Sequence, residues 1–160
     1  MEKMEIRYTT GDATCPISEG NKIIAHVCND IGGWGKGFVN ALSAKWNEPE
    51  KKYRAWHRSK QNFELGQVQF VRVENNIWVA NMIGQKDIRK DKEGKPPIRY
   101  ESIEEALIKI CHFANQLNAS VHMPRIGCGL AGGTWDKIEP IIIKQLSEKR
   151  IQVIVYDFEK

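Results

Sequence analysis

The stretch Ile23–Phe38, I-I-A-H-V-C-N-D-I-G-G-W-G-K-G-F, constrains this chain more than any other. It begins as an apolar, β-branched run, the pattern of a buried strand. It then breaks into a loop holding Gly32, Gly33, Gly35 and Gly37, and turns amphipathic with Phe38, Leu42 and Trp46. Strand, glycine-rich loop and helix in that order bring backbone N–H groups to a phosphate. Glycine permits close approach, and the helix N-terminus adds partial positive charge. Lys36 adds a full one. The spacing G-x-G-x-G at Gly33–Gly37 is neither the dinucleotide fingerprint nor a Walker A loop, since no Ser or Thr follows Lys36. A turn needing positive φ is the other reading of these glycines, but four within Gly32–Gly37 exceed what a turn requires.

The 160 residues predict one domain, 1–160, with a sizeable core. Apolar content of 41% and charged content of 28% suit a soluble globular protein, and a net charge of +4 permits an anionic partner without demanding nucleic acid. No apolar run reaches the length of a membrane span, and residues 1–20 have no signal-peptide core. A cytoplasmic location and no membrane partner are therefore expected. Cys15, Cys28, Cys111 and Cys128 share no C-x-x-C spacing, so reduced thiols and no metal site are expected. No cofactor is implied.

Along the chain, Met4–Tyr8 alternates as a half-exposed strand, and Gly11 turns it toward Asp12. Asp12 is either a carboxylate facing a ligand or an Asx-turn. Lys22–Val27 is the second strand, followed by a helix over Lys36–Trp46 and a cationic helix ending near Gln61. Phe63–Arg72 and Ile77–Met82 form a hairpin around Asn75-Asn76. Lys86–Lys95 is a polar loop with the character of a mobile lid. Tyr100–Asn118 is a helix, and Ser120–Pro124 a short strand. A second glycine loop, Arg125–Gly133, precedes Thr134, an expected N-cap for a helix from Trp135 to about Ser147 that Pro140 should kink or whose start it should shift. Ile151–Tyr156 closes the sheet.

Alternating strands and helices give an α/β class, an α/β/α sandwich with a mixed sheet. Ligands in such folds sit beyond the carboxyl ends of the strands, where both glycine loops fall. Two phosphate-cradling loops on one edge suit two linked phosphates, as in a nucleoside diphosphate sugar.

Three motifs carry a resemblance: G-D-A-T at Gly11–Thr14, H-V-C-N-D-I-G-G-W-G-K-G at His26–Gly37, and P-R-I-G-C-G-L-A-G-G-x-W at Pro124–Trp135. Together, in this order, they resemble the macrodomain family, over nearly the whole chain. The branch most resembled contains the ADP-ribose 1″-phosphate phosphatases and the terminal ADP-ribose glycohydrolases. The resemblance implies a three-layer sandwich with a mostly parallel sheet that binds ADP-ribose. It implies that Asp12 accepts a hydrogen bond from the adenine amino group, with the Ala13 N–H nearby. Cys28, Asn29, Gly33, Trp34, Gly35, Lys36 and Gly37 would line the distal ribose and diphosphate. Arg125, Gly127, Cys128, Gly129, Leu130, Ala131 and Gly132 would wrap the diphosphate from the other side. Charge-assisted hydrogen bonds contribute about 1.5–3 kcal/mol each, enough together for micromolar binding.

The glycohydrolase branch uses a lysine and an aspartate, whose positions here are Gln85 and Ala131, with Lys86 one residue away. The phosphatase-like branch has a histidine that His26 matches. His26 is then an acid or base, or else a hydrogen-bonded core histidine. Asn29 would position a water, and Asp30 is a further carboxylate at the site. The expected function is hydrolysis of an ADP-ribose derivative, either the 1″-phosphate or an ADP-ribosyl or acetyl ester. The alternative is a non-catalytic reader of ADP-ribose or of ADP-ribosylated macromolecules. Nucleic-acid binding through the basic Lys45–Lys60 stretch is the least supported reading.

Overall fold

Strand β2 (Lys22–Asn29) is buried on both faces, which places it inside a sheet covered on two sides. Ile23 and Ala25 point into one cluster, Ile24 and Cys28 into the other. This alternation is the period-2 geometry of a strand carried into two cores. The structure, a computed structural model, describes residues 4–158. The other strands are β1 (Arg7–Thr10), β3 (Val68–Glu74), β4 (Ile77–Gln85), β5 (Ser120–Met123) and β6 (Val153–Asp157). Their order is β1-β6-β5-β2-β4-β3. All neighbours run parallel except β3, which pairs antiparallel with β4.

Helices α1 (Phe38–Lys45) and α2 (Glu48–Ser59) cover one face, with Leu42 and Tyr53 packed on Ile24 and Val79. Helices α3 (Tyr100–Leu117) and α4 (Trp135–Gln145) cover the other through Ile103, Leu107, Ile110, Ile138 and Ile142. The result is the three-layer sandwich with a mixed, mostly parallel sheet. Parallel pairing sends the carboxyl ends of β1, β6, β5, β2 and β4 to one edge.

Several boundaries move. The first strand is Arg7–Thr10 rather than Met4–Tyr8, because its register with β6 pairs Arg7 with Ile154 and Thr10 with Asp157. The last strand starts at Val153, since the Ile151 N–H is spent on Leu146 O at 3.0 Å. The third starts at Val68: Gly66 adopts φ 90°, and its N–H donates to Ile83 O at 2.8 Å. The second and fourth reach Asn29 and Gln85, past the expected ends. Helix α1 begins only after Gly37, whose φ of 90° is not helical. Thr134 sits at the N-cap of α4, but its hydroxyl makes no cap bond, and α4 runs unbroken through Pro140 to Gln145.

The Lys86–Lys95 segment, expected as a mobile lid, is folded on itself. Asp91 Oδ1 accepts from Glu93 N and Lys95 N, both at 2.9 Å. Asp30 Oδ1 accepts from Asp87 N at 2.7 Å and ties the segment to the first glycine loop. Among the described residues, no helix is long and apolar enough to cross a membrane.

Two buried histidines are held neutral. His122 Nε2 lies 2.8 Å from Ser120 Oγ, and Nδ1 lies 2.7 Å from Tyr156 Oη. Tyr156 Oη accepts from Ile17 N, so its own proton goes to Nδ1. Burial, and secondarily the Lys22 charge, bring the His122 pKa down to about 4; burial does the same for His26. An unfolded histidine takes up a proton near pH 6.5, whereas the folded one resists until about 4. Stability is therefore present above pH 6.5 and lost as pH falls toward 4, by about 3 kcal/mol per histidine. Thermal melts between pH 7 and 4 should show this decline, and His26→Gln should make it shallower.

Candidate functional site

Asn29 ends β2, and its side chain builds the loop that follows. Its Oδ1 accepts from Ile31 N and Gly33 N, both at 3.0 Å, and from Tyr53 Oη at 2.9 Å. Its Nδ2 donates to Gly33 O at 2.7 Å. Tyr53, fully buried on α2, shares its one hydroxyl proton between that Oδ1 and Asn29 O, which lies 2.7 Å away. Arg54 Nη1 supports the loop from outside, donating to Gly32 O at 3.2 Å.

Three cavities open along the carboxyl edge of the sheet. The central one, about 310 Å³, lies between the two glycine loops and touches His26, Lys36, Gly37, Arg125, Gly127 and Gly129. Leu130 and Ala131 line it as well. A second, about 410 Å³, is mostly apolar and holds Asp12 and Ala13 beside Phe38, Tyr156 and Phe158. It meets the central cavity at Gly37, Phe38 and Pro124. The third, also about 410 Å³, is lined by Cys28, Asn29, Gly33, Trp34, Gly35 and Lys36. It shares Val27, Lys36, Val39, Gln85 and Leu130 with the centre. The three form one groove: an apolar slot with a carboxylate, a glycine-walled middle, and a largely apolar far end that carries Asn29 and Gln85.

Asp12 uses only Oδ1 locally, accepting from Thr14 N and Thr14 Oγ1 at 2.8 Å. The Asx-turn reading is thus correct, and Oδ2 takes no part in it. Two expected members, Cys128 and Gly132, line none of the three cavities. Cys128 packs against the core below the second loop, and Gly132 N donates to Gly129 O at 3.0 Å. Arg125 lines the groove, yet its guanidinium is committed elsewhere. It makes two bonds to Asp157, at 2.6 and 3.0 Å, and lies over the rings of Tyr8 and Trp135 at 5.1 and 5.2 Å. Trp34 is a packing residue: its ring meets His26 edge-on at 5.4 Å, and Nε1 donates to Ser43 Oγ at 2.8 Å.

His26 is 2% exposed, and its Nε2 lies 2.5 Å from Asn81 Oδ1. The amide of Asn81 is oriented by donating from Nδ2 to Pro49 O and Gln69 Oε1. The ring proton is therefore on Nε2, leaving Nδ1 as the lone-pair nitrogen. With a pKa near 4, His26 is uncharged at neutral pH. Burial raises the Cys28 thiol pKa, so no thiolate is available there. Asp30 serves as the anchor for the 86–95 segment. Among the described residues, no cluster of three His, Cys, Asp or Glu is placed to hold a metal ion.

Sequence reading missed Phe38, Ile88, Pro124, Tyr156 and Phe158 as lining residues. Phe38 and Pro124 abut the glycine loops in sequence, and that adjacency was the available signal. The others arrive from strand ends that only the sheet order brings together.

No protein-family model matches the chain. A solved macrodomain protein from Streptomyces coelicolor is 55% identical, with a TM-score of 0.85 over 96% of this chain and 99% of that one. A Bacteroides thetaiotaomicron protein of unknown function is 59% identical, with a TM-score of 0.96 over 96% and 98% of the two chains. The Danio rerio chromodomain-helicase-DNA-binding protein 1-like is 34% identical over 97% of this chain, which spans 16% of that relative's length. The ADP-ribose 1″-phosphate phosphatase of Candida albicans is 26% identical over 84% of this chain and 89% of its own. The fold is also shared with Thermosipho africanus DarTG in complex with ADP-ribose, at 19% identity and a TM-score of 0.69 over 86% of this chain and 38% of that one.

The second loop rests on Gly127. Its φ is +72°, and a Cβ there would lie 2.6 Å from Ile98 Cδ1. Gly129 has open space and no such φ. Gly127→Ala should cost about 1–3 kcal/mol, and Gly129→Ala much less, read from urea midpoints at constant m.

Proposed function

The chain belongs to the macrodomain family, and from that premise we propose that its groove binds ADP-ribose and hydrolyses an ester at the distal ribose. The observation that carries this is the continuity of the three cavities, with Asp12 at one end and glycine loops in the middle. Adenine fits the apolar slot, its amino group donating to Asp12. The diphosphate fits between the loops, where backbone N–H groups and Lys36 offset its charge. The distal ribose then reaches Asn29 and Gln85. The ADP-ribose complex of a protein with this fold supports the assignment.

The make-up of the far cavity supports an ester linkage. Its described lining residues include no Asp or Glu, so no carboxylic acid stands there to protonate a leaving group. When water adds at C1″ and the C1″–O bond breaks, a carboxylate or phosphate departs as an anion at neutral pH and the water's proton passes to solvent. An ADP-ribosyl ester or ADP-ribose 1″-phosphate is therefore the substrate class, and the phosphatase relatives agree with it. In this reading the lone pair on His26 Nδ1 accepts a hydrogen bond from water or a ribose hydroxyl. His26 does not deliver a proton, because it is neutral. The second reading, a non-catalytic reader, draws on the side chain of Asn29 and the Nε2 of His26 being engaged within the protein.

Calorimetry with ADP-ribose should give micromolar affinity, and Asp12→Ala should weaken it about tenfold or more, as expected for loss of a charge-assisted bond. No binding to the parent protein would sink the proposal. Turnover of ADP-ribose 1″-phosphate and of an ADP-ribosylated glutamate peptide should show no inflection from His26 between pH 5.5 and 8. Binding without turnover on either substrate would establish the reader instead.

A further inference from the structure

The far end of the groove carries a surface that ADP-ribose itself does not explain. Three aliphatic side chains stand out of the protein there: Ile31 is 45% exposed, Ile88 54% and Leu130 78%. They come from three segments, the first glycine loop, the 86–95 segment and the second glycine loop. Ile88 and Leu130 share the lining of the far cavity. Ile31 lies on the first glycine loop, which the Asp30–Asp87 bond at 2.7 Å ties to the segment that carries Ile88. Singly exposed aliphatics are ordinary, but two lining one cavity, with a third on the loop tied to them, form a patch.

Cations surround that patch. Lys36, Lys86, Arg89 and Lys90 are exposed, and among the described residues none of them forms an ion pair. The nearby carboxylates are occupied by backbone amides: Asp30 Oδ1 by Asp87 N, and Asp87 Oδ1 by Ile88 N at 2.6 Å. The rim thus offers positive charge with its acids engaged locally. Its complement is acidic and has aliphatic character. Single-stranded nucleic acid is the other common polyanion, and it is gripped by exposed aromatic rings. Among the described residues, the one aromatic ring that lines this cavity, Trp34, is buried.

Building on the ADP-ribose assignment, we propose that this mouth docks an acidic peptide segment bearing a leucine-like side chain. That segment belongs to the protein to which the distal ribose is attached. The aliphatic patch seats the apolar residue, and Lys86, Arg89 and Lys90 face the flanking carboxylates. The domain thereby reads the modified protein as well as the modification.

The test titrates four probes against the full chain: free ADP-ribose; a Glu/Asp/Leu peptide carrying ADP-ribose through a non-hydrolysable link; a Gly/Ser peptide carrying the same group; and an ADP-ribosylated oligonucleotide. The acidic conjugate should bind at least fivefold tighter than free ADP-ribose, and the Gly/Ser conjugate no tighter. The gain should fall away in Arg89→Ser/Lys90→Ser and in Ile31→Ser, with affinity for free ADP-ribose kept within twofold. Equal affinity of the two peptide conjugates would overturn the proposal while leaving ADP-ribose binding intact. A larger gain for the oligonucleotide would overturn it in favour of nucleic acid. Failure of free ADP-ribose to bind would remove the premise, and that arm is measured first.

Discussion

The groove depends on one side chain. Asn29 saturates its carbonyl with two loop amides and the Tyr53 hydroxyl, and returns a donor to Gly33 O. These bonds convert a glycine-rich segment, entropically costly to order, into a fixed wall. They also fasten α2 to the end of β2, because Tyr53 is fully buried and bonds both Asn29 oxygens. With that wall placed, Lys36 and Gly37 take their positions, and α1 starts where the left-handed Gly37 ends the loop.

The second wall is held differently. Gly133 N donates to Gly127 O at 2.8 Å, and Ile98 N donates to Ala131 O at 2.9 Å, so the loop is bonded to itself and to the chain leading into α3. Arg125 pins its start to Asp157 at the end of β6. The pair is exposed and contributes modestly to stability, yet it joins two strand ends that flank the groove. An arginine before a glycine loop is thus a brace here, its charge already balanced. The cationic contribution to the groove comes from Lys36 and from backbone dipoles.

Polar burial on the α1–α2 face follows the same economy. His26, Asn81 and Gln69 form a chain of hydrogen bonds across β2, β4 and β3. The low dielectric that keeps His26 neutral also makes each of these bonds costly to lose. His26 could donate a proton at the centre of the groove only as a charged imidazole, which burial opposes.

The sequence alone was enough for the two strand–glycine loop–helix units, the α/β class, the placement of Asp12 after the first strand, and the family resemblance. All of these rest on patterns within a dozen or so neighbouring residues, where backbone geometry is locally determined. Tertiary structure decided what each side chain faces. His26 meets an asparagine 55 residues away, Arg125 an aspartate 32 away, and Asp30 a backbone amide 57 away. None of these partners is visible in a local pattern, because each depends on strand order and register. The same long-range pairing settled the strand ends, brought Gln85 and Tyr156 to the groove, left Cys128 and Gly132 outside it, and gathered Ile88 and Leu130 at one mouth.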